Sequence, residues 1–163
     1  MEVIDNFLEP YYFNQLYSVL MGEDLPWYFR NKKVYDDDGS YQLIHGFYHY
    51  NGGIDSSFYE SFEYTLYKLR IKELYRIKAN LNPRTKSHEH SGWHVDLPNC
   101  PVQKTAILYM NTNNGWTKFK KGGRVKSVAN RIVIFDSDVE HAGVTCTDEK
   151  RRVVVNFNYV PAL

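Results

Sequence analysis

Thiols are scarce in this chain. Only Cys100 and Cys146 occur among its 163 residues. That rules out a disulfide framework, allows at most one bridge, and points to a reducing compartment. It also argues against a structural zinc site, which favours clustered thiolates. Long apolar runs are missing as well: no stretch approaches the roughly 20 residues of a membrane-spanning helix. The opening MEVIDNFLEP lacks the basic start and apolar run of a secretory leader. A soluble protein of the cytoplasm, without membrane association, is expected. Neither charge sign prevails, the formal net charge being +1. No single-sign field therefore argues for a nucleic acid or a charged membrane surface. Repeats, low-complexity blocks and interdomain linkers are absent. The length fits one domain over residues 1–163, with enough chain for a real core, and the small size suggests a monomer.

Aromatic residues are plentiful, at 16% of the chain with 14 tyrosines. They favour strands and half-polar pockets. Val3 to Leu8 reads as a short strand ending at Pro10, and Tyr11 to Met21 as a helix stopped by Gly22. Trp27 to Tyr50 reads as two strands around the turn Asp36-Asp37-Asp38-Gly39. Trp27, Tyr28, Phe29, Tyr35, Tyr41, Phe47 and Tyr48 are read as sheet packing rather than a substrate wall. The spacing of Phe58, Phe62, Leu66 and Leu69 predicts a helix from Ser56 or Ser57 to about Leu74.

Strict alternation then predicts a half-buried strand. Tyr75, Ile77, Ala79 and Leu81 share its apolar face; Arg76, Lys78 and Asn80 share the other. That polar row either lines a pocket mouth or faces water, and water is the simpler reading. Further strands are predicted at 104–111, 117–120, 124–128, 131–135 and 152–160, with turns at Asn113-Asn114-Gly115 and Gly122-Gly123. Helices early and antiparallel strands late give an α+β protein, a β-sandwich or jelly roll backed by helices.

His94-Val95-Asp96 and, 45 residues after the aspartate, His141 stand out chemically. Two imidazoles and one carboxylate cover one face of an octahedral metal and leave three positions open, the geometry of non-haem Fe(II) oxygenases. On a strand, residues two apart share a face, so His94 and Asp96 can point at one ion. His141, in a loop beyond the predicted strand 131–135, has to come from a separate element. A His-x-Asp pair alone is weak, because an exposed polar loop gives the same letters; His88-Glu89-His90 fits that bland reading. A cupin-like set starting at His88 lacks its glutamate. A dinuclear zinc-hydrolase pattern fails because Ser91-Gly92 follows His90.

Arg151 and Arg152 open the last strand, about ten residues after His141. An arginine there can reach into a barrel and hold a carboxylate through two parallel hydrogen bonds. The two point to opposite faces. Arg152 goes with Val154, Asn156 and Asn158; Arg151 goes with Val153, Val155 and Phe157. A polar face suits a pocket, which favours Arg152.

In their order and spacing, these motifs resemble the 2-oxoglutarate/Fe(II)-dependent dioxygenases, in particular the prolyl-4-hydroxylase-like branch and small phage-type members. The likeness covers nearly the whole chain. Val3-Ile4-Asp5-Asn6-Phe7-Leu8 resembles the opening strand, His94-x-Asp96 with His141 the iron triad, and Tyr109-Met110-Asn111 the family's Tyr-Leu-Asn. Gly115-Trp116-Thr117-Lys118-Phe119 resembles Gly-Gly-x-Thr-x-Phe, with Trp116 where a second glycine is usual.

The resemblance implies a double-stranded β-helix, or jelly roll, with N-terminal supporting helices. It implies Fe(II) held by His94, Asp96 and His141 as the catalytic metal set. It implies 2-oxoglutarate as cosubstrate, with O2 as co-reactant, succinate and CO2 as products, and ascorbate as a stimulant. Arg152 would hold the distal carboxylate. Arg151 is the second candidate, favoured by prolyl-hydroxylase spacing, and the Tyr109 hydroxyl is a further ligand. The primary substrate stays open between a protein or peptide side chain, a prolyl one first, and a small molecule. A viral member would work in the host cytoplasm. Two other classes compete: a non-catalytic jelly roll that binds metal or a small ligand, and an interaction module whose triad is accidental.

Overall fold

Alternation governs most of the chain. The computed structural model describes residues 1–34 and 39–162; Tyr35 and the predicted turn residues Asp36, Asp37 and Asp38 lie outside the described residues. β1 (Glu2–Ile4), α1 (Pro10–Met21), β2 (Tyr28–Arg30), β3 (Gln42–His49) and β4 (Gly53–Ile54) come first. A 3-10 turn (Tyr59–Phe62) leads into α2 (Glu63–Lys68). Strands follow: β5 (Ile71–Pro83), β6 (Lys104–Tyr109), β7 (Trp116–Phe119), β8 (Arg124–Lys126), β9 (Ile132–Asp136), β10 (His141–Val144) and β11 (Arg151–Pro161).

α1 begins on Pro10, whose fixed φ and missing N–H suit a first helical turn. α2 is shorter than its apolar spacing predicts. It ends at Lys68 because Arg70 takes a left-handed φ of 50° and the residues from Ile71 join β5. There Leu74 pairs with Tyr159 and Ile71 with Pro161, so sheet pairing overrides local helical preference. β1 stops early for a related reason. Asn6 has φ 51°, and the Asn130 amide clamps the Leu8 backbone, accepting from its N–H at 2.9 Å and donating to its carbonyl at 2.7 Å.

Two antiparallel sheets result. The larger runs β1-β9-β6-β11-β5-β3-β2, with β4 on β3; the smaller runs β10-β7-β8. This is a jelly-roll double-stranded β-helix within the α+β class. The rear face of the large sheet is apolar. Ile77, Ala79, Leu81, Val153, Val155 and Phe157 pack there against Leu16 and Leu20 of α1 and Phe62 of the 3-10 turn. Full burial of one such side chain contributes roughly 1.5–3 kcal/mol.

The front face is divided. Under the small sheet, Phe119 and Val125 pack on Ile107, Tyr109, Val133, Phe135 and Val154. Beside that cluster runs a polar strip. On it Arg152 faces Asn82, Asn156 faces Lys78 and Asn158 faces Arg76 across the β11–β5 pairing. Cys100 and Cys146 are both free thiols. Among the described residues no helix is long and apolar enough to cross a membrane.

Candidate metal centre

His94 and Asp96 lie on the loop between β5 and β6 rather than on a strand, and His141 opens β10 rather than lying in a loop. The backbone joins them. His94 and His141 exchange both N–H···O bonds, at 3.1 and 3.0 Å, as an isolated antiparallel bridge. Their rings sit 4.6 Å apart. Just past Asp96, Leu97 turns the chain at φ 46°, an unfavourable conformation of the kind that gathers at functional sites. One ligand atom each from His94, Asp96 and His141 falls within 4.8 Å of the others, and no other such group occurs among the described residues.

Each imidazole has one nitrogen tied down. His94 Nδ1 faces the Gly92 carbonyl at 3.2 Å and His141 Nδ1 the Val139 carbonyl at 3.0 Å. A carbonyl only accepts, so the proton belongs on Nδ1 and the Nε2 lone pair is left for a metal. His141 Nε2 is buried with no hydrogen-bond partner. An orphaned buried acceptor is costly, and coordination would satisfy it.

Asp96 is 7% exposed and held from three sides. Arg76 Nη2 lies 2.9 Å from its Oδ1. The side-chain amides of Asn156 and Asn158 each donate to Oδ2 at 3.2 Å. Arg76 is itself fixed by donating from Nε to Asn158 Oδ1 at 2.9 Å. A carboxylate offers about four lone-pair sites. Both amide donors go to Oδ2 and Arg76 meets Oδ1 as an ion pair, which leaves a lone pair open on Oδ1, the oxygen 3.9 Å from His94 Nε2. Burial works to raise the Asp96 pKa. The Arg76 guanidinium, with His141, Lys78 and His94, outweighs it and holds the carboxyl well below the usual range. Burial and His141 push the His94 pKa down, which favours the neutral imidazole that metals bind. The donor set fits a divalent metal.

One cavity joins this group to Arg152. It spans about 600 Å³ including its open mouth, and its wall includes His94, Asp96, His141, Lys78, Asn80 and Arg152. Arg152 is 3% exposed. Its Nε donates to Ser127 Oγ at 2.9 Å and its Nη2 to Thr117 Oγ1 at 3.1 Å. The guanidinium lies over the Tyr109 ring, 5.6 Å from its centroid. Among the described residues no carboxylate pairs with it, and burial lowers its pKa. A buried cation without a counter-anion invites a carboxylate ligand. Gly115 makes room for it, since a Cβ there would come within 2.8 Å of both Arg152 Cδ and the Val144 carbonyl.

No protein-family model matches the chain, and no curated protein matches it in sequence. Solved structures do match. A 2OG-Fe(II) oxygenase family oxidoreductase from Burkholderia pseudomallei superposes at a TM-score of 0.73 and 9% identity, over 96% of this chain and 83% of that one. A Pseudomonas putida prolyl-4-hydroxylase gives 0.70 and 16%, over 99% and 92%. A Trichoplax adhaerens prolyl hydroxylase, in complex with a hypoxia inducible factor peptide fragment, gives 0.63 and 14%, over 97% and 82%. The fold is that of the 2-oxoglutarate/Fe(II) oxygenases.

Within this oxygenase fold the two arginines part company. Arg151 turns to the rear, where its Nη2 donates to the Met21 carbonyl at 2.6 Å, a bond to the last residue of α1. Only Arg152 reaches the cavity. Tyr109 lies beneath Arg152, its hydroxyl donating to Thr117 Oγ1 at 2.8 Å, and it does not line the cavity.

The polar row of β5 does not simply face water, and that expectation is corrected: Arg76 grips Asp96, and Lys78 and Asn80 line the cavity. The cause is the register against β11, which no local pattern reveals. Ser127 carried no sequence signal at all. Of the aromatic group, Phe47 is buried in the core, Trp27 and Tyr48 pack against it, and Tyr28, Phe29 and Tyr41 are exposed. None of these six lines the cavity.

Proposed function

We propose that the protein is a non-haem Fe(II) oxygenase using 2-oxoglutarate and O2, a hydroxylase of the prolyl-hydroxylase-like kind. The observation that carries this reading is the pairing, within one cavity, of a metal-ready His-Asp-His group with a buried guanidinium that no carboxylate among the described residues meets. Bound Fe(II) would supply O2 activation coupled to decarboxylation of 2-oxoglutarate to succinate and CO2.

The chain's own residues have separable tasks. His94 Nε2, His141 Nε2 and Asp96 Oδ1 hold the ion on one face and leave the rest open. The Asn156 and Asn158 amides hold Oδ2 and Arg76 pairs with the carboxylate, so that Oδ1 is left to the ion. Arg152, steadied by Ser127 and Thr117, takes the distal carboxylate of the cosubstrate. Ile107 and Val154 give its methylenes an apolar wall. The Trichoplax enzyme is in complex with a peptide fragment. A peptidyl proline is therefore the first primary substrate to try.

The test is succinate formation from 2-oxoglutarate with Fe(II), ascorbate and air. Wild type should form succinate slowly even without a primary substrate, and Asp96→Ala should form none above background. Metal and 2-oxoglutarate binding without succinate, across a substrate panel, would replace the enzyme by a ligand-binding jelly roll. If neither binds, the reading is overturned.

A further inference from the structure

One cation of the cavity wall has no hydrogen-bond or ion-pair partner among the described residues. Among the described residues four charged ones line the cavity: Lys33, Lys78, Asp96 and Arg152. Lys33 Nζ lies 3.8 Å from Glu89, and Asp96 is matched by Arg76. On the reading above, Arg152 takes the cosubstrate. Lys78 remains. No hydrogen bond or ion pair engages its ammonium among the described residues. Its position is set by sheet register, opposite Asn156, whose amide holds Asp96. The Lys78 charge is therefore felt at the triad, lowering the pKa values of both Asp96 and His94. Arg152 lies four residues further along β11, roughly 13 Å at the rise of a strand. The two cations thus rise from separate positions along the polar strip.

From this arrangement we infer that Lys78 anchors an anionic group of the primary substrate, a carboxylate or a phosphate, beside the metal triad. Charge supports a substrate anion over a second hold on the cosubstrate. With Asp96 balanced by Arg76, Lys78 and Arg152 leave two positive charges on the wall, and a divalent metal would add two more. A dicarboxylate offsets only two of the four. Asn80 extends the site, because it lines the cavity two residues along β5 and its amide reaches Asn156 Oδ1 at 3.3 Å. A merely structural lysine has no reason to be here: burial and Arg76 push its pKa down to about 8, so the fold carries the charge at a cost. The inference names the substrate class for the site proposed above and rests on that reading.

The test follows the ³¹P resonance of inorganic phosphate and the ¹³C resonance of labelled acetate with the full chain, first metal-free with Arg152→Met present throughout to remove the other unpaired cation, then with Arg152 restored and loaded with Mn(II) and 2-oxoglutarate. One or both anions should bind this metal-free protein with Lys78 or Lys78→Arg, and bind it with Lys78→Met or Lys78→Gln at least tenfold more weakly. In the loaded protein Mn(II) should broaden the bound anion strongly, while 2-oxoglutarate affinity stays within twofold in Lys78→Met. Response to phosphate alone or to acetate alone assigns the anion. Equal binding, in the Arg152→Met background, with Lys78 and with both neutral substitutions means an adventitious ion only and overturns the proposal. So does a tenfold loss of 2-oxoglutarate affinity in Lys78→Met, which makes Lys78 a cosubstrate ligand. Failure of wild type to bind Mn(II) or 2-oxoglutarate overturns the oxygenase reading instead, and the metal-free titration still decides whether Lys78 holds an anion.

Discussion

Successive residues of β11 enter opposite surroundings. Val153, Val155 and Phe157 turn to the rear, where helix and sheet close over them and every contact serves the fold. Arg152, Asn156 and Asn158 turn to the front, where buried polar groups hold Asp96 or wait for a ligand. The rear is stabilised chiefly by burial. The front keeps charges away from water, with Arg76–Asp96 paired and, among the described residues, Arg152 and Lys78 not. One strand thus separates stability from chemistry by the pleat, and the two rows should respond oppositely to substitution.

Four substitutions test that contrast. The largest effect belongs to the rear. Phe157→Ala empties a fully buried site that meets Phe62 edge-on at 5.7 Å, and should cost about 3–5 kcal/mol in denaturant unfolding. On the front, Arg152→Met should weaken 2-oxoglutarate binding about 30-fold or more in calorimetric titration, equivalent to about 2 kcal/mol or more. The fold should lose little by comparison, because a buried unpaired charge leaves with the side chain. If the unfolding loss instead rivals that of Phe157→Ala, the division of roles along β11 is wrong.

Lys78→Met should raise stability by on the order of 2 kcal/mol at pH 7. The sign follows from the lowered pKa, about 8 against an ordinary 10.5. Below pH 8 the folded protein carries a charge that burial disfavours. Between 8 and 10.5 the folded state has released the proton while the unfolded chain still binds it, so wild-type stability rises with pH there. The variant should lack that rise, which unfolding curves across the window will reveal. Smallest is Arg151→Ala. It removes one bond to the Met21 carbonyl, should cost about 1 kcal/mol, and should leave 2-oxoglutarate affinity unchanged. An affinity loss there would return the cosubstrate role to Arg151.

Strands were the most legible part of the chain. Alternation in Tyr75–Leu81 marked both faces of β5, and the run from Arg152 to Val160 gave nearly all of β11. The helix expected to reach Leu74 failed because Leu74 and its neighbours pair with the end of β11, a long-range contact that helical spacing cannot anticipate. The candidate metal group was legible because few residue types ligate a metal and their spacing is constrained. Their supports were not. Arg76 and Asn158 reach Asp96 across sequence gaps that only the sheet closes.

By itself, then, the sequence determined the alternating faces, the triad of His94, Asp96 and His141, and the fact that Arg151 and Arg152 must diverge. Periodicity is a local property and survives in any fold that keeps the strands. Tertiary structure alone decided the rest. The β5–β11 register set Lys78 opposite Asn156. The His94–His141 backbone bridge closed the triad. The small sheet covered the apolar part of the front and left the polar strip to the cavity. Such choices depend on which strands become neighbours, and the pairing energy that settles them is spread over residues far apart in the chain.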